Sequence, residues 1–215
     1  MLSFVIGGAD GPTSIFLAGS IGNIFMAPAF IILAVFYGIY FTKYFVQKHQ
    51  GIQTRQLGRR KEKAVHLTEC LLSWATYLIV PVQLLSIAFD WNRMPSVLRI
   101  MGIGLGVLGD LLFLAAVVTM KNSWRAGIPD EDRTEFVSGG IYRYSRNPAF
   151  LGFDLMYIGI LMMYFNVLLM IFTVWAAVML HLQILQEEKY LASVFGEEYS
   201  RYKECTGRYF GKKEV

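Results

Sequence analysis

Charge is scarce in this chain. Of its 215 residues only 17% are Asp, Glu, Lys or Arg, where a soluble domain carries nearer a quarter, so a water-soluble globule is disfavoured from the outset. Two cysteines make no disulfide scaffold, because Cys70 lies in an apolar run and Cys205 in a charged tail. Three histidines, His49, His66 and His181, show no metal-ligand spacing, which argues against a metal site. The net charge of +4 is modest, and the basic residues border hydrophobic runs instead of forming one face, so nucleic-acid binding is a poor reading. The N-terminus also lacks the basic start of a signal peptide. The stretch 1-MLSFVIGGADGPTSIFLAGSIG-22 is broken by Gly7, Gly8, Gly11 and Pro12, and reads as a re-entrant or interfacial segment.

Apolar runs are what the chain has in quantity, at 55% hydrophobic residues. About 20 such residues cross a hydrocarbon core as a helix. Three runs qualify directly: 24–46, 67–89 with a kink expected at Pro81, and 97–120, where Gly102, Gly104, Gly106 and Gly109 let a neighbouring helix approach closely. The stretch 148–186 is too long for one span and reads as a hairpin turning near Asn166. The expectation is an all-α membrane protein with about five transmembrane helices. Three regions divide it: 1–22, the three helices and basic loop of 23–120, and a functional region over 121–215.

Lys43, Lys48, Arg55, Arg59, Arg60, Lys61 and Lys63 face a single acid, Glu62, between the first two spans. Such a basic excess marks the cytoplasmic side, placing the N-terminus outside a bacterial or archaeal cell membrane. The 121–147 loop and the tail then share the inner face. The loop is rich in Gly, Pro and Asp and reads as ordered but non-helical. In the tail, Tyr190, Leu191, Val194, Phe195, Tyr199 and Tyr202 recur at near-helical spacing, which predicts an amphipathic interfacial helix broken at or after Gly196.

The run 142-YRYSRNPAFLGFD-154 gathers Arg143 and Arg146 just before Pro148, with Arg133 further back. Proline suits the first turn of a helix. The free backbone N–H groups there, beside a guanidinium, make a seat for a carboxylate. Glu187 and Glu188 leave the membrane at the same level on the other arm of the hairpin. Neighbours on a helix lie about 100° apart, so at most one of the two can point into a shared pocket. With Tyr142, Tyr144, Phe150 and Tyr190 nearby, the cavity matches a zwitterion with hydroxyls and a cationic centre, such as S-adenosylmethionine; a lipid headgroup fits the same physics. Snorkelling anchors are the plain alternative for the arginines. Asp110 reads as the one acid within a span, where polar residues are functional by default.

The run 139-GGIYRYSRNPAFLG-152 carries G-I-Y-x-x-x-R-[HN]-P-x-[YF]-x-G, and an E-E pair and F-G-x-E-Y-x-x-Y follow within 183-QILQEEKYLASVFGEEYSRYKECTGRYF-210. Together they resemble the integral-membrane methyltransferase family of isoprenylcysteine carboxyl methyltransferases and phospholipid N-methyltransferases, over about 120–210. The upstream 123-SWRAGI-128 is also like bacterial members. The resemblance implies S-adenosylmethionine held by Val137, Gly140, Tyr142, Arg146, Asn147, Pro148, Glu187 and Glu188. A lipophilic acceptor would arrive from the bilayer and meet His181, Gln183, Phe150 and Tyr190. Asn147 stands where many prenylcysteine enzymes have His, and Gln183 where they have Arg, which weakens the case for a prenylcysteine carboxylate as acceptor. No general base is assigned by the sequence. Separately, 7-GGADGPTSIFLAG-19 is similar to a segment in the membrane β subunits of sodium-pumping decarboxylases. That likeness implies an ion-coupled alternative resting on Asp10 and Asp110.

Overall fold

A computed structural model describes residues 24–58, 63–128 and 135–211. The N-terminal segment, with Asp10, and Arg133 lie outside them. Among the described residues the chain forms five α-helices: α1 (Met26–His49), α2 (Lys63–Ala88), α3 (Ser96–Met120), α4 (Pro148–Met163) and α5 (Val167–Cys205). Four are long and apolar enough to cross a membrane, and α4 is a shorter apolar helix of 16 residues. This is an all-α membrane protein, as its apolar runs predict. Helix α2 continues through Pro81.

Glycine decides how α3 meets α4. A Cβ on Gly102 would sit 2.6 Å from the Gly159 carbonyl oxygen, and one on Gly109 would sit 2.7 Å from the Gly152 carbonyl oxygen. The two backbones therefore touch, the close approach that small residues permit between helices in lipid. Gly104 faces open space and takes no part. The other intimate pairing is α2 with α5, while α1 leans mainly on α3. Between the α3–α4 pair and the α2–α5 pair the packing is loose, and a groove remains there.

At one end of the bundle, Arg99 is buried with its guanidinium 4.1 Å from the Phe25 ring centre and 4.9 Å from that of Tyr164, and 3.4 Å from Asp90. Asn166 begins α5 as its N-cap, accepting from the Leu169 N–H, and donates to Ser86 Oγ on α2. The predicted turn is thus built by the predicted residue. The opposite, loop-rich end is where α1 and α3 finish and α2 and α4 start. At 1.5 Å per residue the 39-residue α5 is roughly 58 Å long, about twice the hydrocarbon thickness. Its first 20 or so residues cover a membrane, and Glu187 onward projects beyond the loop-rich end. Gly196, at φ +52°, kinks the projecting part where the sequence predicts a break.

Candidate functional site

The short 3-10 helix Gly140–Arg143 leads to Asn147, which precedes Pro148 at the start of α4. Proline at the first helical position fixes φ without forfeiting a needed donor. Facing this N-terminus, the α5 extension carries Glu187 and Glu188 into different surroundings, as the helical offset requires. Glu188 is 6% exposed and turns away from the cavity. It accepts from Arg146 Nη2 at 2.9 Å, from Arg208 Nη2 at 2.9 Å and Nε at 3.1 Å, and from Asn147 Nδ2 at 3.5 Å. Burial pushes its pKa up, but the bond and charge of Arg208 and the charge of Arg146 overcome that and hold it below the ordinary carboxylate range.

Arg208 belongs to a strap, 206–211, that the sequence reading treats only as tail. The Arg146 N–H donates to the Gly207 carbonyl at 3.0 Å, the Gly211 N–H to the Tyr144 carbonyl at 3.1 Å, and Asn147 Nδ2 to the Arg208 carbonyl at 3.2 Å. The strap is thus laced to the loop before α4, with Glu188 at its centre. His181 hydrogen-bonds the strap's Tyr209 hydroxyl and lines neither cavity described below.

Glu187 lines a cavity of about 870 Å³, counting the space at its mouth. Arg146, Asn147, Val137, Tyr142, Phe150 and Tyr190 line it too, so seven of the twelve residues proposed for the cofactor or acceptor share its wall. Pro148, Gly140, Glu188 and Gln183 do not line it. The place of a Cβ on Gly140, at φ +57°, is taken by Thr119 Cγ2 at 2.8 Å. Tyr202 donates to the Tyr142 carbonyl at 2.7 Å, and Phe136 packs its ring on Phe195, Tyr199 and Tyr202. Burial and the nearby Glu188 charge push Tyr199 up to about 12, so it stays a neutral phenol. Arg146 keeps a buried Nε with no hydrogen-bond partner among the described residues.

Burial raises the Glu187 pKa to about 7, against the bond it accepts from Gln183 Nε2 at 3.1 Å; the charge of Glu69 adds to the rise. A carboxyl raised in this way holds its proton more tightly folded than unfolded, so its ionisation costs stability. The apparent melting temperature should fall as pH rises from about 5 through 7, and Glu187→Gln should flatten that fall. Glu188, held below the ordinary carboxylate range, loses no stability as the pH rises there. Melting curves across these pH values decide it; an unchanged slope in Glu187→Gln would place the titration elsewhere.

Beside this cavity lies the groove, about 2130 Å³ counting its mouth. Its walls are apolar and aromatic residues of α1, α2, α4 and α5, with Arg55 and Gln183 among the few polar ones. Trp124, Arg125, Gly127, Ala149 and Phe150 line both spaces and form the partition between them. Trp124 is 4% exposed, its carbonyl accepting from the buried Gln47 Nε2 at 3.0 Å. Two loops hold the partition in place. Gln56 N–H donates to the Ala126 carbonyl and Ala126 N–H to that of Thr54, while the fully buried Glu69 accepts from the Gly58 N–H at 2.7 Å and the Ile128 N–H at 3.4 Å.

Sequence reasoning missed Glu69, Arg55, Arg208 and the partition role of Trp124. The signal for Trp124 was present in 123-SWRAGI-128, and that for Glu69 in an acid at the start of an apolar run. Asp110 is therefore not the one acid within an apolar helix, since Glu69 lies in α2 and Asp154 in the shorter α4. Asp110 is buried in α3 and lines neither space.

The described residues thus form an all-helical membrane protein with a Glu-bearing cavity beside an apolar groove. Residues 102–193 match the profile of the isoprenylcysteine carboxyl methyltransferase (ICMT) family. That span holds α4, most of α3 and the first two thirds of α5, including both glutamates. No curated protein matches the chain. The family match and the apolar helices support an integral-membrane methyltransferase.

Proposed function

We propose that the protein uses S-adenosylmethionine to methylate a small lipophilic acceptor, with its loop-rich end facing the cytoplasm. The observation that carries this reading is the shared partition: one wall of Trp124, Ala149 and Phe150 separates a polar cavity from an apolar groove. The residues present fit the cofactor. Arg146 offers an unpartnered buried Nε to a carboxylate, next to the N-terminus of α4. Glu187, with one hydrogen bond from Gln183, offers carboxylate oxygens to hydroxyls, and Tyr142, Tyr190 and Phe150 offer aromatic faces to a sulfonium and a base. When bound, the cofactor supplies a methyl group on a positively charged sulfur.

What the chain itself does is align and exclude. In-line displacement needs the two reactants held at one geometry and water kept away. The α5 extension walls the cavity with Leu191, Phe195, Tyr199 and Tyr202, and the loops clamped by Glu69 fix the partition. The groove admits the acceptor from the bilayer. The basic 43–63 stretch supports the cytoplasmic placement of this end.

Calorimetric titration of S-adenosylhomocysteine into the detergent-purified protein tests the cofactor assignment. Micromolar binding that Glu187→Gln weakens at least tenfold is expected, with Gly104→Ala, at a position open to the surroundings, as the unaffected control. A folded wild-type protein that binds none would sink the assignment.

A further inference from the structure

We propose that Gln183 reads the head group of the acceptor and selects a hydrogen-bond donor, an amine or a hydroxyl, over a carboxylate. The inference rests on the groove being the acceptor site, and it names the chemistry that this groove takes.

Gln183 is 1% exposed and lines the groove one helical turn before Glu187. Its Nε2 donates to Glu187 Oε1 at 3.1 Å. In that bond the Glu187 oxygen is the acceptor, so the amide nitrogen is taken and the amide oxygen turns away. That oxygen is buried and has no hydrogen-bond partner among the described residues. A buried acceptor left unmet costs about 1–3 kcal/mol, and a ligand N–H or O–H that meets it recovers much of this. A ligand carboxylate brought to the same place adds oxygen against oxygen, with Glu187 a turn away. Nothing in that encounter favours it.

The other polar groups of the groove do not make this choice. Tyr37 and Tyr157 present hydroxyls, which donate as readily as they accept. Arg55, on the α2 side, lies 4.9 Å from the Tyr77 ring centre and donates to Ser73 Oγ at 3.4 Å. It would draw an anion, as would Arg125 in the partition, but a head held at either arginine is indifferent to what stands at position 183. The two modes are therefore separable by substitution.

The test uses the full chain in lipid nanodiscs, without cofactor, and three amphiphiles sharing one fifteen-carbon chain that ends in a primary amine, a hydroxyl or a carboxylate. Each displaces a fluorescent amphiphile of the same chain, and affinities are read as the ratio of variant to wild type, which cancels partition into the lipid. Gln183→Leu should weaken the amine and the hydroxyl about tenfold and leave the carboxylate unchanged or tighter, while Gln183→Arg should tighten the carboxylate. Gln183→Met, closer in length, serves in place of the Leu variant if that one melts early. Equal loss for all three heads, or no change for any, would overturn the inference. So would a wild-type preference for the carboxylate that survives both substitutions, which would hand recognition to Arg55 or Arg125. A titration of S-adenosylhomocysteine on the same samples keeps the parent reading apart. Cofactor binding without head selection removes this inference alone, and head selection without cofactor binding removes the methyltransferase reading alone.

Discussion

Glu188→Gln should lower the apparent melting temperature by roughly 10 °C, whereas Glu187→Gln, one residue earlier, should leave it unchanged or raised at neutral pH. Glu188 is the shared anion of Arg146 and Arg208, and its loss strands the Arg146 guanidinium, whose side chain is 7% exposed. Breaking a buried pair from one side costs about 3–5 kcal/mol. For a chain of this size each kcal/mol moves the midpoint by roughly 2–4 °C. The strap should loosen as well, so trypsin should cut after Lys203 and Arg208 faster in this variant. Arg208→Ala should cost less, since its side chain is 36% exposed, and the double variant should cost less than the sum because both changes break one network. Thermal melts of the four proteins, with the trypsin time course, measure this. Equal melting temperatures for the two glutamate variants would contradict the division of roles between them.

The second large effect concerns the α3–α4 seam. A Cβ on Gly159 would lie 2.6 Å from the Gly106 nitrogen and 2.7 Å from the Gly102 oxygen, backbone atoms on both sides with no flexible side chain to give way. Gly159→Ala must therefore part the two helices, at a cost on the order of 3 kcal/mol from overpacking. The midpoint should drop by about 10 °C, and cofactor affinity should fall with it, because α4 carries Asn147 and Phe150 into the cavity. Gly104→Ala faces open space and should be neutral or stabilising by up to about 1 kcal/mol through helix propensity. The pair of melts compares the same chemical change at a touching and a free position.

Much of this architecture could be read in advance because its causes are local. Hydrophobic length sets the helices, Asn166 caps α5, Gly196 kinks it, and Pro148 opens α4, each a property of a few consecutive residues. The cavity was legible through the Arg-Asn-Pro run and the paired glutamates, and the helical offset foretold that only one acid would enter it. The division between Glu187 and Glu188 was not legible, because it depends on Arg208, twenty residues on, reaching back across the strap. His181 illustrates the same limit. Its place on α5 suggested the acceptor path, yet the strap's Tyr209 takes it on another face of the helix. Glu69 clamps loops that are far apart in sequence, and the groove itself arises from looseness between two tight helix pairs, which no single segment encodes.

The most direct test of methyl transfer from S-adenosylmethionine to a lipophile is a transfer assay without a chosen acceptor. The purified protein is incubated with S-adenosylmethionine labelled on its methyl group and with a lipid extract of the host membrane, and the label is followed into the organic phase. Label that accumulates with time and falls at least tenfold in Glu187→Gln, a variant expected to remain folded, is the predicted result. An organic phase that stays unlabelled while the wild-type protein binds S-adenosylhomocysteine would contradict transfer to a lipophilic acceptor, and would leave a membrane protein that holds the cofactor for another end.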